Sequence, residues 1–282
     1  MNIQTFYPEN PVLKKHIEYY YFLKTDSDNF TSTYYAFPNP LQSLNIHKYA
    51  CCDINSHSTI VYGDKKCKYL LIVQGQHELP LFVQLKGILD KITILFKPLG
   101  LNHFIQKSLI EIAGEPSQVF TDWHEDKNFK KFLASFYGTD DHIKRIAVLE
   151  NYLLSRYHSL GEEAILQQAI NLLTDFDIEY SIAEIADKAG MNDRSFNRML
   201  NKHLGISPVG FRKIARFRHS LENKLFEEKF KTLTEIGYES NYYDQSYFHK
   251  MYKKLTGQNP LKFFNSIEKL ADDRLIFKFV NK

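Results

Sequence analysis

The chain has 282 residues, 44% hydrophobic and 24% charged, enough for two compact domains that each bury a core. No run approaches the roughly 18 to 20 apolar residues needed to cross a bilayer, and the opening MNIQTFYPEN lacks the order of a signal peptide, so no membrane partner is expected and a cytoplasmic location is. The net charge of +3 hides an asymmetry: residues 181–270 hold 16 Lys and Arg against 10 Asp and Glu, and the remainder holds 20 against 23. A +6 segment joined to a −3 segment suggests that the former meets a polyanion and the latter does something else.

Residues 1–98 read as a β-rich domain. From about Tyr19 to Lys97, short apolar or alternating runs (YYYFL, STIVYG, YLLIVQG, PLFVQL, KITILFK) are separated by Gly, Pro, Asn and Asp. In KITILFK, Ile92, Ile94 and Phe96 share one face and Leu95 makes the other apolar too, which predicts a strand covered on both sides in a small, cupin-like barrel or sandwich. The odd count of cysteines, with Cys51 adjacent to Cys52 and Cys67 apart, predicts reduced thiols rather than a disulfide framework.

After Pro98 and Gly100 the spacing of apolar residues changes to three and four, and residues 99–162 read as a helical connector built from LNHFIQKSLIEIAG, KNFKKFLASFYG and DHIKRIAVLENYLLSRYH. In the last, Ile143, Ile146, Leu149, Leu153 and Tyr157 form one stripe. It can serve either a homodimer contact or packing on the strands.

Residues 163–268 read as an all-helical domain carrying an internal repeat, followed by a tail over 269–282. MLNKHLGISPVGF (199–211) and MYKKLTGQNPLKF (251–263) align at an offset of 52, with Met, Lys, Gly, Pro and Phe coinciding. Gly205 and Gly257 fall where a helix ends in a left-handed residue, and Ser207-Pro208 or Asn259-Pro260 supplies a cap and a first-turn proline. Upstream, SIAEIADKAG and TLTEIGYESN align at an offset of 51, so the second turn holds one more residue. Each copy reads as a helix-turn-helix, with Gly190 or Asn241 at a turn that requires positive φ. From Pro208 the segment PVGFRKIARFRHSLENKLFEE is expected to be one helix of about five to six turns.

The apolar faces predicted to pair leave polar ones: Arg194, Asn197, Arg198 and Asn201, with Lys202 beside them, on one second helix, and Gln245, Ser246, His249, Lys250 and Lys253 on the other. Arg reads guanine, Asn and Gln read adenine, and Lys holds guanine or phosphate, so these faces suit base readout in a major groove.

SIAEIADKAGMNDRSFNRMLNKHLGISPVGF together with LTEIGYESNYYDQSYFHKMYKKLTGQNPLKFF resembles the double helix-turn-helix domain of AraC/XylS-type bacterial transcription regulators over about 100 residues, most specifically at DQSYF (244–248) with Gly257 and Pro260. The resemblance implies base contacts from Arg194, Asn197 and Arg198 and from Gln245, Ser246, His249 and Lys250. It also implies duplex DNA and RNA polymerase as partners and a first domain that senses a small-molecule effector or dimerises. Asn241 and Gly237 depart from the family's usual Gly and Ala. An α+β chain of this kind is expected to regulate transcription rather than catalyse a reaction, with no cofactor and no metal. A cupin-type metalloenzyme would need a His-x-His that is absent, and a DNA-repair methyl acceptor would need four thiolates where three cysteines exist.

Overall fold

The computed structural model describes residues 2–225, 232–242, 244–270 and 275–280. The first hundred residues form β1 (Asn2–Phe6), β2 (Ile17–Lys24), β3 (Thr31–Ala36), β4 (Gln42–Lys48), β5 (Ala50–Ile54), β6 (Ser58–Gly63), β7 (Tyr69–Gln74), β8 (Leu81–Lys86) and β9 (Asp90–Phe96). One short helix, α1 (Pro11–His16), interrupts them; Asn10 caps it by accepting from the Val12 N–H, and Pro11 opens it.

Strands β1, β2, β9, β4 and β7 pair in that order, all antiparallel, and the two-residue strand β10 (Gln118–Val119) extends the edge. Strands β3, β8, β6 and β5 form a second sheet, with β8 and β6 parallel. The two sheets face each other without closing, so the domain is a sandwich rather than a barrel. Between them lies an apolar layer that includes Leu23, Ile72, Val83 and Leu85.

Chain direction after β9 is set by Leu99, which takes a left-handed φ of 66°, and by a 3-10 turn over Gly100–Phe104. Then follow α2 (Leu109–Ala113), α3 (Phe129–Phe136) and α4 (His142–Arg156). The expected helix over 101–114 is thus split, because Ser108 starts a new capping box with Glu111. These helices lie on the outer face of the first sheet and share one core with Phe22, Leu44, Ile92, Ile94 and Phe96.

That arrangement decides the stripe on α4: Ile146, Leu149 and Leu153 are spent on this core, whereas Ile143 is 67% exposed. Packing on the strands, not dimerisation, accounts for it. Buried Arg145 locks the same helix to the sheet, with Nη1 and Nη2 on the Asp90 carboxylate at 2.8 and 3.0 Å and Nε donating to the Thr139 carbonyl.

The expectation of three reduced thiols is corrected. Cys51 and Cys67 form a disulfide, with their Cα atoms 5.6 Å apart, and only Cys52 is free. The turn after β6 folds back on the start of β5, where the Tyr49 N–H donates to the Lys68 carbonyl, and this brings together two cysteines whose spacing revealed nothing.

The remainder comprises α5 (Glu163–Thr174), α6 (Ile182–Lys188), α7 (Asp193–Leu204), α8 (Pro208–Leu225), α9 (Leu233–Glu239), α10 (Gln245–Thr256) and α11 (Pro260–Phe264). Residues 226–228, at the end of the long helix expected from Pro208, lie outside the described residues. Residues 269–282, read as a tail, contribute to β11 (Glu268–Leu270) and β12 (Leu275–Phe279), and β12 pairs with β3. Among the described residues no helix is long and apolar enough to cross a membrane.

Replacing Arg145 by Ala strands the Asp90 carboxylate, and chemical denaturation should register a loss of about 3 to 5 kcal/mol. Acid should destabilise the chain in a defined window. Burial pushes the His16 imidazole down to about 4 and that of His47 well below its ordinary 6.5, with the His103 and Lys91 charges respectively adding to the effect. The unfolded chain takes up these protons below about pH 6.5, whereas the fold holds His16 neutral down to about 4 and His47 neutral well below 6.5. Stability is therefore full above 6.5 and is lost as pH falls towards 4, which melting curves across that range should reproduce.

Candidate nucleic-acid interface

Both helix-turn-helix units are built by the same local chemistry. Ser181 and Glu184 form a capping box at the start of α6, and Thr232 and Glu235 form one at the start of α9. The turns take positive φ at Gly190 (67°) and Asn241 (52°). Asn192 caps α7 through the Ser195 N–H, and Asp244 caps α10 through the Tyr247 N–H. Both second helices end on a left-handed glycine, Gly205 or Gly257. Four residues separate α6 from α7 and five separate α9 from α10, as the two offsets predict.

The faces pair as read from the sequence. Ile185, Ala186, Phe196, Met199, Leu200 and Leu204 are buried in one core. Ile236, Phe248, Met251, Tyr252 and Leu255 are buried in the other. Helix α8 serves both, Phe211 and Ala215 packing in the first core and Phe217 and Leu221 in the second. Its 18 residues give a rigid spacer of roughly 27 Å.

What remains outside these cores is polar. Arg194, Arg198, Asn201 and Lys202 are exposed on α7, with Asn197 half-buried among them; Gln245, Ser246, His249, Lys250 and Lys253 are exposed on α10. Two of these side chains are engaged locally. Asn197 Nδ2 donates to the Asp193 carbonyl at 2.8 Å, and Gln245 Nε2 donates to Thr234 Oγ1 at 3.3 Å. Each keeps its second amide N–H and its carbonyl oxygen available for a base.

Asn241 has a second use. Its Nδ2 donates to Glu179 Oε2 at 3.3 Å, while Oε1 of the same carboxylate accepts from Arg216 at 2.6 Å. Glu179 thereby ties the entry to the first unit, the spacer helix and the turn of the second unit, a role that glycine could not fill.

The first domain touches both units, a set of contacts that no sequence pattern signals because the partners are far apart. Asn102 Nδ2 donates to the His203 carbonyl at 2.9 Å, and Leu99 enters the first unit's core. Phe37 packs edge-on against Phe263, and Arg218 of α8 donates to the carbonyls of Phe37 and Pro38 at 3.0 and 2.7 Å. Lys254, in the last turn of α10, pairs with Glu78. Glu111 of α2 has its carboxyl held low, first by hydrogen bonds from Ser108 and then by the charges of Lys107 and Lys202.

Residues 185–266 match a family model described as a helix-turn-helix domain. The arabinose operon regulatory protein of Escherichia coli (strain K12) is 24% identical over 144 residues, which is 48% of this chain and 49% of that protein. This chain carries a helix-turn-helix domain over residues 185–266. It spans about half the length of the curated relative it matches. Two solved structures of ToxT from Vibrio cholerae also align with it. One has a TM-score of 0.44 at 13% identity, covering 86% of this chain and 98% of the other. The second, described as bound to unsaturated fatty acid, has a TM-score of 0.44 at 14% identity, covering 89% and 97%.

Within the helix-turn-helix domain the two N-caps carry the start of both exposed faces. Asn192→Ala and Asp244→Ala should each lower stability by about 1 kcal/mol, to be read by chemical denaturation.

Proposed function

We propose that this chain is a sequence-specific DNA-binding transcription regulator, and not an enzyme, whose α7 and α10 enter adjacent major-groove segments of one duplex. The observation that carries the reading is the pair of exposed polar faces, repeated with the same caps and the same left-handed turns. Arg194 and Arg198 suit guanine O6 and N7, while Asn197, Asn201 and Gln245 suit adenine N6 and N7. Ser246, His249 and Lys250 complete the second face; Lys202 and Lys253 suit phosphates. Two reading heads about one helical turn, roughly 34 Å, apart require the DNA to bend where α8 holds them closer.

The proposed partners are duplex DNA, RNA polymerase at the promoter and a small-molecule effector. A cavity of about 810 Å³ at the junction of the two halves is the natural place for the effector, lined by Lys15, Tyr19, Leu41 and Lys97 of the first domain and by Gln167, Ile170, Arg218 and Leu221 of α5 and α8. A molecule there would contact elements of both halves and shift the balance between DNA-competent and incompetent arrangements. Glu78 beside Lys254 and Glu111 near Lys202 would compete with phosphates for the same cations. A homodimer would have to use a surface other than the stripe of α4.

Gel-shift titration at fixed salt tests the reading. Arg198→Ala should weaken binding to the specific site by about 1 to 3 kcal/mol and relax base preference, whereas Lys202→Ala should weaken all duplexes alike. Equal operator affinity for wild type and Arg198→Ala removes the assigned role.

A further inference from the structure

Three side chains distant in sequence meet where the sandwich joins the DNA-binding half. His16 closes α1, His103 lies in the 3-10 turn, and Glu163 opens α5. The two imidazole rings face each other with centroids 3.9 Å apart and planes at 37°. His103 Nε2 is 3.7 Å from Glu163 Oε1, and one donor atom from each of the three residues lies within 4.8 Å of the others. Both histidines are more than nine-tenths buried, at 6% and 1% exposure.

The surroundings hold this geometry in place. Gly100 lets the turn lie against α1, since a Cβ there would fall 2.1 Å from the His16 carbonyl oxygen, and the Lys97 N–H donates to that same oxygen at 2.9 Å. His103 Nδ1 lies 2.9 Å from the His158 carbonyl. A carbonyl only accepts, so Nδ1 carries the proton and Nε2 keeps its lone pair facing His16 and Glu163. Tyr157 lies beside both rings, its centroid 5.5 Å from that of His103 at 10° and 5.5 Å from that of His16 at 36°.

His16 Nε2 is buried and has no hydrogen-bond partner, a condition that is unfavourable unless something else satisfies it. Burial keeps both rings neutral, and the charges of Lys15 and Lys97 act in the same direction on His16. A carbonyl that fixes the tautomer of one histidine, a second imidazole without a partner and an adjacent carboxylate together make the donor set, with its supporting shell, of a divalent transition metal.

We propose that His16, His103 and Glu163 form a zinc site linking the sandwich to the DNA-binding half. The metal takes one nitrogen from each ring and one carboxylate oxygen, leaving a fourth position open to water or another ligand. Two ligands belong to the first domain and the third opens α5, so occupancy clamps that helix to the sandwich. None of the histidines and cysteines between residues 47 and 77 takes part.

Zinc alone is the probe. Full-length, tag-free protein stripped with chelator and dialysed against zinc should retain one ion per chain, and cobalt in its place should give the visible absorption of a tetrahedral centre. Zinc should also raise the melting temperature. Glu163→Gln, at a half-exposed position, should weaken zinc by at least the roughly 10- to 100-fold that loss of a supporting partner costs, and His16→Ala should abolish the bound ion and the thermal shift. Wild type that retains no stoichiometric zinc, or a Glu163→Gln variant that binds zinc as wild type does, overturns the proposal and identifies the cluster as a plain histidine–glutamate contact. Glu163→Gln decides the matter even if His16→Ala does not fold. No DNA enters the assay, so its failure leaves the reading of α7 and α10 untouched.

Discussion

The strand β9 has no face left for water, and the rest of the architecture follows from that. Ile92, Ile94 and Phe96 bury on one side and Lys91, Thr93 and Leu95 on the other, so a layer must cover each. Helices α1 to α4 supply the outer layer and the second sheet supplies the inner one. Covering the outer face uses up the apolar stripe of α4, and it brings the end of α1 against the turn that follows β9. The same packing that satisfies a strand thus creates the corner where His16 meets His103.

In the DNA-binding half the governing constraint is local. A helix pair crossing through a short turn needs one residue at positive φ, and each recognition helix needs a start that satisfies its free N–H groups and a stop that does not extend the spiral. Gly190, Asn241, Gly205 and Gly257 meet the first and last requirements, and Asn192 and Asp244 the second. With the helices so punctuated, the apolar faces have one way to pair, and the polar faces are left outside.

The halves are joined by contacts made mostly with backbone oxygen and single side chains. Arg218 reaches the carbonyls of Phe37 and Pro38, Asn102 reaches the carbonyl of His203, and β12 adds to the edge of the second sheet beside β3. Two apolar side chains also cross the junction, Leu99 into the first unit's core and Phe37 into the second's, so each core loses one side chain when the halves part.

Periodicity and punctuation are properties of neighbouring residues, so the two helix-turn-helix units, their caps, the extra residue in the second turn, the doubly covered strand and the list of exposed polar side chains were all legible in the chain itself. Whatever depends on distant segments was not. The Cys51–Cys67 disulfide, the strand β12, the grip of the first domain on both units, and the convergence of His16, His103 and Glu163 come from packing that no local spacing encodes. Asn241 marks the boundary between the two: its left-handed turn is a local requirement, whereas its bond to Glu179, 62 residues away, exists only once the spacer helix has brought the two units together.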